Sequence, residues 1–130
     1  MKAKNNKISL SIPFIDFNEK KLILDSIKNN EISTYGRNVS VFEKNVAKLS
    51  GGKYNLAVNS GSSALLIAFK SIGLKKEDLV ITQSYTFTAT TNSIIHSGGT
   101  PWLFDIDNEN LSIDINKVRE KLVKDCFKKG

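Results

Sequence analysis

Five residues, Asn59-Ser-Gly-Ser-Ser63, carry the chemistry that is easiest to read in this chain. They interrupt the run Asn55-Leu-Ala-Val-Asn-Ser-Gly-Ser-Ser-Ala-Leu-Leu-Ile-Ala-Phe69, in which an apolar strand breaks and restarts as a helix. Gly61 has no Cβ, so its backbone can come close to a ligand. Ser62 and Ser63 set hydroxyls beside the unpaired N–H groups of a helix's first turn. Those donors and the positive end of the helix dipole favour a phosphate without a lysine. A plain strand-to-helix turn, with Ser62 or Ser63 as its N-cap, explains the same residues. The motif lacks the Gly-Lys-Ser/Thr ending of a P-loop and the three glycines of the dinucleotide fingerprint.

The remaining reactive side chains suggest less. His96 is the only histidine and lies late in a helical stretch, where it reads as a helix C-terminal residue. Asp105, Asp107 and Asp114 fall at a strand end and a helix cap, which accounts for them without a metal. Cys126 is the only cysteine, so no internal disulfide forms and a reducing, cytoplasmic setting is expected.

The elements that must position these residues follow from periodicity. At 130 residues and 40% apolar composition the chain fits one modest globular domain. Its net charge of +6 is concentrated in residues 1–28 and 117–130, and no aromatic residues interleave with those lysines, so nucleic acid is not expected as a partner. The start has a basic flank but no long apolar run behind it; neither a signal peptide nor a membrane span is predicted.

Ile8 to Phe14 is a short apolar approach, and Asp16-Phe-Asn-Glu19 reads as a capping box opening a helix to about Lys28 with Leu22, Ile23 and Ile27 buried. Gly36 marks a turn, and Asn38 can cap a second helix whose Val39, Phe42, Val46 and Leu49 share a face before Gly51-Gly52 ends it. Tyr54–Val58 is predicted as a first strand. A helix from Ser62 to Ile72, apolar nearly all round, follows it and should be buried on most sides. Leu79–Thr82 is a second strand, and the polar loop Gln83–Thr86 leads into a helix from about Phe87 to Ser97. Gly98-Gly99 closes that helix, and Pro101–Ile106 is a third strand. Alternating strands and helices argue for an α/β fold with parallel strands. Asp114 can cap a last helix, whose Ile115, Val118, Leu122 and Val123 face inward.

Five stretches, taken together in this order, are familiar: Ser33-Thr-Tyr-Gly36, Val58-Asn-Ser-Gly-Ser-Ser-Ala64, Ser84-Tyr-Thr-Phe-Thr-Ala-Thr-Thr-Asn92, Phe104-Asp-Ile-Asp107 and Leu111-Ser-Ile-Asp114. From about Ile8 to Lys121 the chain resembles the DegT/DnrJ/StrS family of pyridoxal-phosphate-dependent sugar aminotransferases. The resemblance implies the N-terminal portion of a fold-type I transferase large domain, with a mostly parallel sheet and flanking helices. It also implies pyridoxal 5'-phosphate as cofactor, an active site between two subunits of a homodimer, and amino transfer from glutamate to a keto carbon of a nucleotide-linked sugar. Neither a metal nor a membrane enters. By that likeness Gly61, Ser62 and Ser63 cradle the cofactor phosphate; the family usually has Thr-Ala where this chain has Ser62-Ser63, which keeps one hydroxyl and both N–H groups. Phe87 matches the aromatic that stacks on the cofactor ring, although a core residue at a helix start is the alternative. Thr34 and Tyr35 resemble the family's early loop near the substrate, and an ordinary surface turn explains them almost as well.

Transamination also needs an imine-forming lysine and a carboxylate against the ring nitrogen. In the family both lie beyond the matched region, and no lysine here takes that place, so the expectation is the front portion of a sugar aminotransferase, truncated or frameshifted near Asp125 and inactive alone. Two alternatives remain: a non-enzymatic α/β module that binds a phosphate-bearing ligand, and the front of a family dehydratase whose lysine is replaced by histidine. His96 is not that histidine.

Overall fold

The computed structural model describes residues 11–34 and 36–126. Five helices and two strands occur among them, in two compact units, Met1–Ala57 and Val58–Gly130. No helix among the described residues is long and apolar enough to cross a membrane.

The first unit holds α1 (Phe17–Lys28) and α2 (Arg37–Ser50). The capping box forms as predicted: the Asn18 N–H donates to Asp16 Oδ1 at 2.6 Å and the Asp16 N–H to Glu19 Oε2 at 2.9 Å. Asn38, expected as the next cap, lies one position inside α2, and the cap is Gly36, with extended backbone and no side-chain bond. The Asn38 amide instead donates to Ser26 Oγ of α1 at 2.8 Å. Gly51 ends α2 at φ +70°, a left-handed conformation that suits glycine. The expected buried stripes are not sealed. Leu22, Ile23, Ile27 and Phe42 are all at least half exposed and line one open apolar groove.

Tyr54–Val58 is not a strand. The segment has no ladder partner among the described residues, and the Ala57 N–H, which a neighbouring strand would take, donates to Glu43 Oε1 at 2.8 Å. The sheet is therefore a parallel pair rather than the expected three strands. Its strands are β1 (Leu79–Gln83) and β2 (Thr100–Phe104), in register from Leu79 opposite Thr100 to Gln83 opposite Phe104.

These strands belong to the second unit, with α3 (Gly61–Ser71), α4 (Thr88–Ser97) and α5 (Ile115–Cys126). α4 connects β1 to β2, packs on both, and lies along α3. Its Ile94 is fully buried, and Phe104 of β2 is buried beside Trp102, their ring centroids 5.0 Å apart. α3 buries less than expected: Leu65, Leu66 and Phe69 turn one face inward, while Ile67 stays 46% exposed. The α4 to β2 connection is tight. Gly98 takes φ +101°, and Gly99 lies under Leu74 so closely that a Cβ there would come within 2.6 Å of Leu74 Cδ2.

β2 stops at Phe104, short of the predicted Ile106, because the Asp105 carboxylate takes the Ile106 N–H at 2.9 Å and Ile106 makes a lone antiparallel bridge to Ile113. Asp114 caps α5 as predicted, accepting the N–H groups of Asn116 and Lys117. Val118 and Leu122 are half-buried, while Ile115 and Val123 are exposed, contrary to expectation.

Candidate functional site

The turn that opens α3 is built by its own polar side chains. Ser60 has extended backbone, φ −159° and ψ 158°, so the N-cap falls on Ser60 rather than on Ser62 or Ser63. Its Oγ accepts the Ser63 N–H at 3.2 Å, the Ser63 hydroxyl donates to Asn59 Oδ1 at 2.8 Å, and the two serine hydroxyl oxygens lie 3.0 Å apart. Gly61 and Ser62 are the first two helical residues, and their N–H groups have no partner among the described residues. A Cβ built on Gly61 would meet nothing within 4 Å, so the space over it is open to a ligand. No acidic side chain sits in this first turn to oppose a negative charge. Open donors, a clear approach and the dipole's positive end fit a phosphate.

α4 fixes this turn from the side. Ser93, 4% exposed, donates through Oγ to the Ser62 carbonyl at 3.2 Å, tying the start of α3 to the middle of α4. A cleft of about 330 Å³ runs between the helices, with Ser62 and Ser63 on one wall and Thr88, Asn92 and His96 on the other. The sequence reading gave His96 only its place in the last helical turn, which it has; its position on the cleft was missed. The signal was the spacing of Thr88, Asn92 and His96, four residues apart along one helix face.

Phe87 is the N-cap of α4, next in sequence to Thr88 of the cleft wall, and is 87% exposed. A core role for its ring is not what the structure shows. The loop before it is braced by a bond from Gln83 Nε2 to the Tyr85 carbonyl at 2.6 Å and by the Thr86 and Thr90 hydroxyls 2.9 Å apart. Thr34 belongs to the first unit, where it lines a separate cleft with Gly36, Arg37, Ser40 and Glu43. Tyr35 lies outside the described residues.

The three aspartates near the end of β2 each have a structural task. Lys117 Nζ lies 2.8 Å from Asp105 Oδ2 and 3.7 Å from Asp114 Oδ2. The Lys117 hydrogen bond, then the Ile106 N–H, hold the Asp105 carboxyl below its ordinary range, and the same bond raises Lys117. Asp107 Oδ1 accepts the Glu109 and Asn110 N–H groups in a turn. Among the described residues no three His, Cys, Asp or Glu side chains gather as a metal site.

Residues 13–126 match the model of the DegT/DnrJ/EryC1/StrS aminotransferase family. The chain belongs to this family. Among curated members it is 38% identical over 118 residues to the spore coat polysaccharide biosynthesis protein SpsC of Bacillus subtilis and 36% identical over 112 residues to the GDP-perosamine synthase of Caulobacter vibrioides. Those alignments cover 91% and 86% of this chain but 30% of each relative, so the chain spans about a third of the length of the curated family members it matches. Among solved structures, the E. coli GDP-4-keto-6-deoxy-D-mannose-3-dehydratase with bound hydrated PLP superposes with a TM-score of 0.74 at 30% identity, covering 85% of this chain and 30% of that one. NtdA from Bacillus subtilis with bound cofactor PMP gives 0.71 at 29% identity, covering 90% and 29%. The fold is the α/β, N-terminal part of the family's pyridoxal-phosphate-dependent transferase architecture.

Proposed function

We propose that this chain supplies the phosphate cradle and ring face of a pyridoxal-phosphate site in a sugar aminotransferase. The observation that carries the reading is the pair of open N–H groups at Gly61 and Ser62, under clear space and beside the cleft that the start of α4 shares. In this reading those N–H groups and the Ser62 hydroxyl hold the phosphate, with Ser63 completing the turn. Phe87, exposed at the head of α4, offers its flat face to the pyridine ring and keeps water from it. Pyridoxal phosphate, when bound, supplies an electron sink that lets an amino group move between carbon atoms. Thr34 and Tyr35 are proposed to meet the substrate.

The substrate proposed is a nucleotide-linked keto sugar with glutamate as amino donor, in a cytoplasmic homodimer; the GDP-perosamine synthase relatives, which by name make a nucleotide sugar, support this class. The lysine and ring-nitrogen carboxylate that the chemistry requires are not assigned to any residue here, so the proposal for this chain alone is binding without turnover. A dehydratase structure that superposes with a TM-score of 0.74 at 30% identity supports a second reading, in which the same cradle serves sugar dehydration. The deciding experiment titrates the chain with pyridoxamine phosphate, which needs no lysine to bind, and with pyridoxamine as the control. Binding that requires the phosphate supports the reading; equal, weak binding of both compounds overturns it.

A further inference from the structure

Counting protons at the α3 turn divides its residues into two sets. A serine hydroxyl has one hydrogen to give. The Ser63 hydrogen goes to Asn59 Oδ1 at 2.8 Å, so across the 3.0 Å contact between the two hydroxyls Ser60 must be the donor and Ser63 Oγ the acceptor. The Ser63 N–H goes back to Ser60 Oγ at 3.2 Å. Every donor of Ser60 Oγ and Ser63 is thus consumed within a closed ring that ends on the Asn59 side-chain carbonyl. Left without a partner among the described residues are the Gly61 and Ser62 N–H groups and the Ser62 hydroxyl, on exposed residues. Ser62 is held in turn by the bond from buried Ser93 to its own carbonyl.

We infer that Asn59 is a positioning residue for the phosphate cradle. It acts through Ser63, and Ser63 acts through this ring rather than by touching the ligand. The inference rests on the proposed pyridoxal-phosphate site and sharpens it: of the three cradle residues, Gly61 and Ser62 meet the anion, while Ser63 sets their direction. Asn59 is the only carbonyl acceptor in the ring, and it fixes which way the hydroxyl chain runs. Without it, the Ser63 hydrogen has no fixed target and the first turn loses one of its braces.

The test compares the parent chain with Asn59→Ala, Ser63→Ala, the double variant and Ser63→Thr. Binding of pyridoxamine phosphate and of pyridoxamine is measured well below the melting temperature of each, with the phosphorus resonance of the bound ligand as a second signal. Asn59→Ala should weaken pyridoxamine phosphate about fivefold, the effect of one neutral hydrogen bond, and Ser63→Ala at least as much, because its Oγ also accepts from Ser60. Pyridoxamine binding should stay unchanged, because the lost contact serves only the phosphate. The double variant should be no weaker than Ser63→Ala, because that variant already removes the bond to Asn59. Ser63→Thr, which keeps the hydroxyl, should restore affinity. Ser63→Ala removes the bond from its other end, should Asn59→Ala fail to fold. A parent chain that discriminates between the two ligands while Asn59→Ala binds equally well or more tightly overturns the inference alone. Additive losses in the double variant do the same. A parent chain that does not distinguish the two ligands overturns the proposed site and the inference together.

Discussion

Two glycines in the same unit should respond in opposite ways to one added methyl group. A Cβ on Gly61 meets nothing within 4 Å, and the residue's backbone is outside the left-handed region. Gly61→Ala therefore introduces no clash and restricts the unfolded chain, which stabilises by about 0.4–1 kcal/mol. In a unit of this size that raises the melting temperature by roughly 2–8 °C. The same methyl group stands in the space through which an anion would reach the first N–H groups of α3. Loss of a hydrogen bond to a charged group weakens binding by about 1.5–3 kcal/mol, so pyridoxamine phosphate should bind roughly tenfold to a hundredfold less tightly. Gly99→Ala is the counterpart. Its Cβ would stand 2.6 Å from Leu74 Cδ2 and 2.9 Å from Leu74 Cγ, so Leu74 must leave its seat. Overpacking of this kind destabilises by about 1–3 kcal/mol, a fall of at least about 4 °C. Thermal unfolding followed by circular dichroism, with a ligand titration at low temperature, reads both variants. A Gly61→Ala chain that melts below the parent, or that binds the phosphate ligand as well as the parent does, refutes the reasoning.

Other substitutions separate fold from site in the same way. Phe87→Ala removes an exposed ring, so the melting temperature should move by no more than a surface substitution allows, within about 0.5 kcal/mol, while affinity for pyridoxamine phosphate falls about threefold to tenfold; isothermal titration checks it. Ser60→Ala deletes the α3 cap and should destabilise by about 1 kcal/mol, read from denaturant midpoints at constant slope. Asp105, whose folded value is depressed by Lys117, contributes stability that is present above the ordinary carboxylate value and is lost as pH falls through the folded one. Lys117, raised by the same bond, contributes below its ordinary value and loses that contribution as pH rises through the folded one. In Lys117→Met the Asp105 titration, followed by NMR, should move up toward the ordinary range, and added salt should shrink the difference because the pair is exposed.

Local chemistry was legible in the sequence where a residue's partner lies within a few positions. The Asp16 and Asp114 caps and the Gly51 and Gly98 stops all depend on neighbours along the chain, and all formed. Tyr54–Val58 has the composition of a strand, but a strand exists only beside another, and Glu43 had already taken the Ala57 N–H. Asn38 has the chemistry of a cap yet found a partner in Ser26, twelve residues away. The helix start at Gly61-Ser62-Ser63 was legible, whereas its cap on Ser60 and the bond from Ser63 to Asn59 were not, because they depend on which proton each hydroxyl gives and to whom. The four-residue spacing sets His96 on one helix face with Thr88 and Asn92, but that this face meets α3 depends on how the two helices pack, which no window of sequence contains.

The register of β1 and β2 sets Gln83 opposite Phe104, and the Ser84 N–H still reaches the Phe104 carbonyl at 2.8 Å one step beyond the ladder. Both strands thus release their chains at a common edge, one into the loop that carries Phe87 and the other into the Asp105–Asp107 turn. The residues that set the ladder and the residues that set those loops are different stretches of gene. Substitutions in those loops leave the ladder of Leu79–Gln83 on Thr100–Phe104, which fixes where both loops begin, untouched.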